Sequence, residues 1–119
     1  MKKILVRSEI GKNCITASDG QKIYELIFPL LRKDQMIELD FSGVDIIASP
    51  FFNAAIGYLL KDISNEKLNE LLTISKLIPT GREVLKKVIE NSKRYYLNGE
   101  NNIRKILDEA LSNLQEEEN

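Results

Sequence analysis

Asp45-Ile-Ile-Ala-Ser-Pro-Phe-Phe-Asn-Ala-Ala-Ile-Gly57 is the stretch on which the reading of this chain turns. It is nearly all apolar, yet Ser49-Pro50 sits at its centre and Asn53 lies among the hydrophobes. Proline suits the first helical position, where no N–H is missed, so a helix is predicted to open at Ser49-Pro50 and run to about Lys61. Ser49 then falls where an N-cap belongs, its side-chain oxygen accepting from a backbone N–H near Phe52. Phe51, Phe52, Ala54, Ala55, Ile56, Tyr58, Leu59 and Leu60 leave this helix apolar nearly all round, the mark of heavy burial. Gly57 is expected to allow a close helix contact.

Upstream, Lys3 to Ile10 reads as a strand and Asn13 to Thr16 as a second, with Gly11-Lys12 as a tight turn between them. Ser18 and Gln21 have capping-box spacing. Ile23, Leu26, Ile27 and Leu30 follow on one helical face. Pro29 lies inside that pattern and predicts a kink or an early end. Gln35 to Phe41 is the next strand, Asp40-Phe41-Ser42-Gly43 turns the chain, and Ile46-Ile47 is a short extended link. Gly43 is expected to supply a positive φ.

Downstream, Ser64 to Glu70 suits a short helical turn and Leu71 to Leu77 a strand. Thr80 and Glu83 form another capping box, opening a helix with Val84, Leu85, Val88 and Ile89 on its core face. Arg94 to Leu97 reads as a short strand and Asn98-Gly99 as a turn. Ile103, Ile106, Leu107, Ala110, Leu111 and Leu114 keep the helical period, and residues 115–119 form an acidic tail expected to fray. Strands and helices alternate with short links, which predicts a single α/β domain over residues 1–119 with a largely parallel or mixed sheet.

Composition narrows the function. The chain has 119 residues, room for one hydrophobic core. Formal net charge is −1 and the basic residues fall in short pairs between acids, so no stripe for nucleic acid is expected. Histidine is absent, which removes Ser-His triads and His-based metal sites. Cys14 is the one cysteine, read as a small buried hydrophobe. Met1-Lys-Lys is followed by three apolar residues before Arg7, so neither a signal peptide nor a membrane span is predicted, and the expected compartment is the cytoplasm. No phosphate-cradling Gly-rich motif occurs. An enzyme is therefore not expected, and no cofactor or metal is.

The run Ile37-Glu-Leu-Asp-Phe-Ser-Gly-Val-Asp-Ile-Ile-Ala-Ser49 resembles the STAS fold of bacterial anti-sigma-factor antagonists: a strand, an Asp-containing turn, and a serine at a helix start. Ser49 to Gly57 is similar to the signature of a STAS-like domain family of unknown function. The resemblance implies a mixed central sheet of four to five strands with helices packed mainly on one face. It also implies regulatory work through a protein partner, such as a kinase-like ATPase or an anti-sigma-like factor. A small-molecule or nucleotide-sensing role is the alternative, and a homodimer is a further option.

In the antagonists the second serine of an Asp-Ser-Ser-Gly-Leu-Gly motif takes a phosphate. Matching Asp40 and Ser42 to their equivalents puts Pro50 at that acceptor position, so the usual switch is expected to be absent, with Ser49 the remaining acceptor candidate. The working surface implied comprises Asp40, Ser42, Gly43, Asp45, Ser49, Pro50 and Asn53. Asn53 has two readings, a hydrogen bond to the Ser42-Gly43 turn or contact with a partner. Asp40 and Asp45 flank the turn, where turn-forming roles outweigh acid–base or cation chemistry.

Overall fold

A computed structural model describes residues 1–96. Its elements are β1 (Lys2–Leu5), α1 (Val6–Glu9), β2 (Asn13–Cys14), α2 (Ala17–Arg32), β3 (Ile37–Asp40) and β4 (Ile46–Ile47). They continue with α3 (Ser49–Ala55), a 3-10 helix (Gly57–Lys61), α4 (Asn65–Leu71), β5 (Leu72–Ser75) and α5 (Pro79–Tyr96). The sequence-predicted turn at Asn98-Gly99, the final helix and the acidic tail lie outside the described residues.

The main sheet has three strands in the order β1-β3-β5, and both pairings are parallel. Lys2 stands opposite Ile37, and Ile37 opposite Leu72. A separate parallel pair joins β2 to β4. The fold class is therefore α/β as expected, but the mixed sheet of four to five strands is replaced by an all-parallel three plus two. The reason lies in the connections. Parallel neighbours need crossovers, and α2 supplies one between β1 and β3.

Side-chain alternation then gives the sheet two unlike faces. Ile4, Ile37 and Leu39 point into the core, where Ile23, Ile27 and Leu31 of α2 and Phe51 and Phe52 of α3 meet them. Lys3, Glu38, Asp40 and Ser75 occupy the opposite face, as the register requires. Phe41, Phe51 and Phe52 pack with ring centroids 5.6 to 6.4 Å apart under the turn that follows β3.

Several local expectations change. The strand predicted from Lys3 to Ile10 stops at Leu5, because α1 takes over and the Ile10 N–H donates to the Val6 carbonyl at 2.8 Å. Val6 and Ile10 are spaced for either period, so alternation alone does not separate them. Gly11-Lys12 consequently joins no hairpin. The cap of α2 is Thr16, whose hydroxyl accepts from the Asp19 N–H at 3.1 Å, and Ser18 lies inside the helix.

Pro29 does not end α2, which continues to Arg32. Its ring is exposed near the C-terminus, where a missing N–H costs one bond. The helix closes on Asp34 at φ 62, with Gln35 N–H reaching the Leu30 carbonyl and Asp34 N–H the Leu31 carbonyl, a Schellman arrangement. The predicted strand around Leu71 to Leu77 narrows to β5, with Lys76 at φ 57 just beyond it. Thr80 is helical, because α5 opens at Pro79. Arg94 to Tyr96 continue α5 and are not a strand, and Leu97 lies outside the described residues.

Helices α2 and α3 meet at Gly20. A Cβ there would strike the Phe51 carbonyl oxygen and come within 2.9 Å of the Ala54 Cβ. Small residues on both sides thus let the two backbones close over the sheet.

Candidate functional site

Asp40 is the last residue of β3 and is 3% exposed. Its Oδ1 accepts from the Ser42 hydroxyl at 2.6 Å and from the Ser42 N–H at 2.8 Å, while Oδ2 lies 3.2 Å from the Lys3 ammonium. The Ser42 hydroxyl, then the Ser42 N–H, and finally Lys3 pull the carboxyl down to about 2 against the opposing effect of burial. Asp40 is therefore an ionised clasp for the turn, which agrees with a turn-forming role.

The turn itself follows from its sequence. The Val44 N–H donates to the Phe41 carbonyl at 3.1 Å, and Gly43 adopts φ +78 at the position that wants a left-handed residue. Phe41 and Val44 are buried, and Ser42 and Gly43 are exposed between them. The Arg7 side chain of α1 lies across Gly43: a Cβ on that glycine would sit 2.9 Å from Arg7 Cδ. Sequence reasoning missed both Lys3 and Arg7. Nothing local signals them, since they reach the turn through the β1–β3 pairing and the helical turn after it.

Asp45 is exposed, and its backbone N–H donates to the Lys12 carbonyl at 2.8 Å. Its carboxylate has no hydrogen bond or ion pair among the described residues, so Asp40 and Asp45 serve different ends. One is a clasp and the other is open surface. Beyond β4, the chain enters α3 with Ala48 as the N-cap; Ser49 and Pro50 are its first two residues, both exposed. No side chain caps this helix. The expected Ser49 cap is thus corrected, because Ala48 has the extended backbone (φ −117, ψ 155) and Ser49 has already turned helical. The Ala48 N–H donates to the Cys14 carbonyl at 2.9 Å, which fixes the entry to α3 from β2. Cys14 itself is buried, and burial first, then Asp19, pushes its thiol up to about 11.

Asn53 is exposed and makes no hydrogen bond to the Ser42-Gly43 turn. It looks instead into a cleft of about 500 Å³ between α3, the 3-10 helix and the last two turns of α5. The structure thus gathers Asp40, Ser42 and Gly43 into one locked turn and carries Ser49 and Pro50 just past β4. Asn53 belongs to another wall.

This arrangement of a strand, a clasped turn and an uncapped helix start over two packed phenylalanines can be set beside known families. The model for STAS-like domains of unknown function (DUF4325) matches residues 19–91. The chain belongs to this family. No curated protein and no solved structure matches it. The match spans the clasped turn, both phenylalanines of α3 and most of α5 in this STAS-like domain, while Lys3 and Arg7 lie ahead of it. Among the described residues, no helix of the STAS-like domain is long and apolar enough to cross a membrane.

Proposed function

We propose that this STAS-like domain is a non-catalytic regulatory module that works by protein–protein contact at the Ser42–Asp45 turn and the first turn of α3. The observation that carries this reading is the clasp. An exposed turn held by a buried carboxylate, a salt bridge and a positive-φ glycine is ordered before any partner arrives. Pre-ordering lowers the entropic cost of association. The turn and the helix start are separated only by β4, a rise of about 7 Å, so one partner can span both.

The chemistry of the surface also fits recognition better than a phosphate switch. Pro50 occupies the position where the antagonists keep their acceptor, and it has no hydroxyl. Ser49 is exposed but lies in a seven-residue helix whose first turn carries no acidic or basic side chain. A kinase-like ATPase or an anti-sigma-like factor is the partner class that the family resemblance suggests.

Site-specific photo-crosslinking in cells that carry the gene tests this. A crosslinker at Asp45 or Ser49 is expected to trap one discrete protein, and one at Lys86 on α5 is not. Equal yields at all three positions, or no protein adduct at Asp45 and Ser49, would overturn the reading. Mass spectrometry of the same material is expected to find Ser49 unmodified.

A further inference from the structure

Among the described residues β5 is an outer strand of the main sheet, and α5 runs beside it. Between them lies an apolar groove of about 490 Å³. Ile74, Leu77, Leu85 and Ile89 make its floor, and all of these but Leu77 are only half-buried. Arg82, Lys86 and Lys93 stand along its rim with Glu90. On α5 the positions 82, 85, 86, 89 and 93 recur every three or four residues, so they form one stripe along the helix. Val88, on the neighbouring flank, is already buried against Gly57 of the 3-10 helix. One apolar flank of α5 is thus packed, and the flank of Leu85 and Ile89 is half-exposed.

The chain itself supplies a segment that fits this groove. Ile103, Ile106, Leu107, Ala110, Leu111 and Leu114 fall at helical spacing and share one face. As a helix, residues 103–114 would be about 18 Å long, and α5 from Arg82 to Lys93 covers about 16 Å. Six residues, 97–102, link Tyr96 to that segment, and they include the turn pair Asn98-Gly99. Links of about two to eight residues join antiparallel helices. An antiparallel return therefore sets Ala110 beside Ile89 and Leu114 beside Leu85. Charge agrees with this direction. Residues 97–119 hold six acidic and two basic side chains, whereas basic residues outnumber acidic ones fifteen to twelve in residues 1–96. The return brings Glu116, Glu117 and Glu118 to the first turns of α5, where Arg82 and Lys86 lie and where the helix dipole favours negative charge.

We infer that residues 103–114 of the same chain dock as an amphipathic helix in the groove between β5 and α5. There they cover the sheet edge, which then no longer offers backbone N–H and C=O groups to another chain. The contact does not depend on the partner surface at the turn, because no residue of that surface lines this groove.

Paramagnetic broadening in the full chain tests this. Ser112→Cys carries a nitroxide on the polar side of the segment, and Cys14, being buried, stays unlabelled. In two-dimensional NMR the backbone amides of Ile74, Leu77 and Leu85 should lose most of their intensity. Those of Leu5 and Leu26, at the β1 edge, should keep most of theirs. Adding Leu107→Asp and Leu111→Asp should leave the folded spectrum of residues 1–96 intact and restore the lost intensity. Equal broadening at both edges, or losses that persist in the doubly charged variant, would overturn the inference. So would broadening in an equimolar mixture of isotope-labelled chain without nitroxide and nitroxide-bearing chain without isotope, since a second copy's segment would then fill the groove.

Discussion

The Phe51 carbonyl oxygen lies against the α-carbon of Gly20, so closely that no Cβ fits between α2 and α3. The obstacle is backbone, which cannot rotate aside as a side chain would. Gly20→Ala should therefore destabilise despite the gain of about 1 kcal/mol in helix propensity. Overpacking of this kind costs about 1–3 kcal/mol, and because the obstacle is backbone the upper part of that range applies, a net loss approaching about 2 kcal/mol. Urea denaturation checks it: the midpoint should fall while the slope stays constant.

Asp40 makes stability depend on pH at the acid end. Its folded carboxyl is lowered from the ordinary 3.8 to about 2. A depressed carboxyl contributes stability that is fully present above the unfolded value and lost as pH falls through the folded one. The window is thus from about pH 4 down to about pH 2. Asp40→Asn should be less stable at neutral pH and should lose this part of the acid-side slope. Urea midpoints at several pH values for both proteins would show it, and identical slopes would sink the assignment.

Two hydroxyl residues near helix starts should behave differently. Thr16 caps α2 through its hydroxyl, so Thr16→Ala is expected to cost about 1 kcal/mol. Ser49 caps nothing, and Ser49→Ala should stay within about 0.5 kcal/mol of the parent. Thermal melts of the two variants side by side provide the comparison. A large loss at Ser49 would restore it as a cap.

Cys14 is buried with its thiol pushed up to about 11, so thiolate is scarce at pH 8. Iodoacetamide should leave the native protein unmodified over the time in which the urea-unfolded chain is fully labelled. Intact-mass spectrometry reads the difference directly.

Period and composition made the large elements legible. The run of Ile23, Leu26, Ile27 and Leu30 announces α2, Ser64 falls at the cap of α4, and the apolar stretch from Phe51 to Leu60 is largely buried. Partnering between distant segments was not legible. Whether Val6 ends a strand or starts a helix depends on what Ile10 packs against, and whether Asn13-Cys14 joins Ile4 or Ile46 depends on the crossover. The site divides in the same way. Asp40, Ser42 and Gly43 carry turn signals in their own residue types, whereas Lys3 and Arg7 gain meaning only from neighbours far along the chain. Ser49 and Ala48 show the finest limit, one residue of helix phase, which backbone angles decide and residue preference does not.

The span matched by the family model begins at residue 19, after β1 and β2. Of the two four-rung ladders in the main sheet, one uses β1, and the second sheet exists only through β2. A fragment trimmed to residues 19–91 would discard Val6 and Cys14 from the core, the Thr16 cap and the Lys3 half of the Asp40 salt bridge. It would also expose β3 as a raw edge, open to pairing with a second molecule. The length of chain that identifies this protein is thus shorter than the length that can hold its shape, and any dissection of the domain has to respect the longer one.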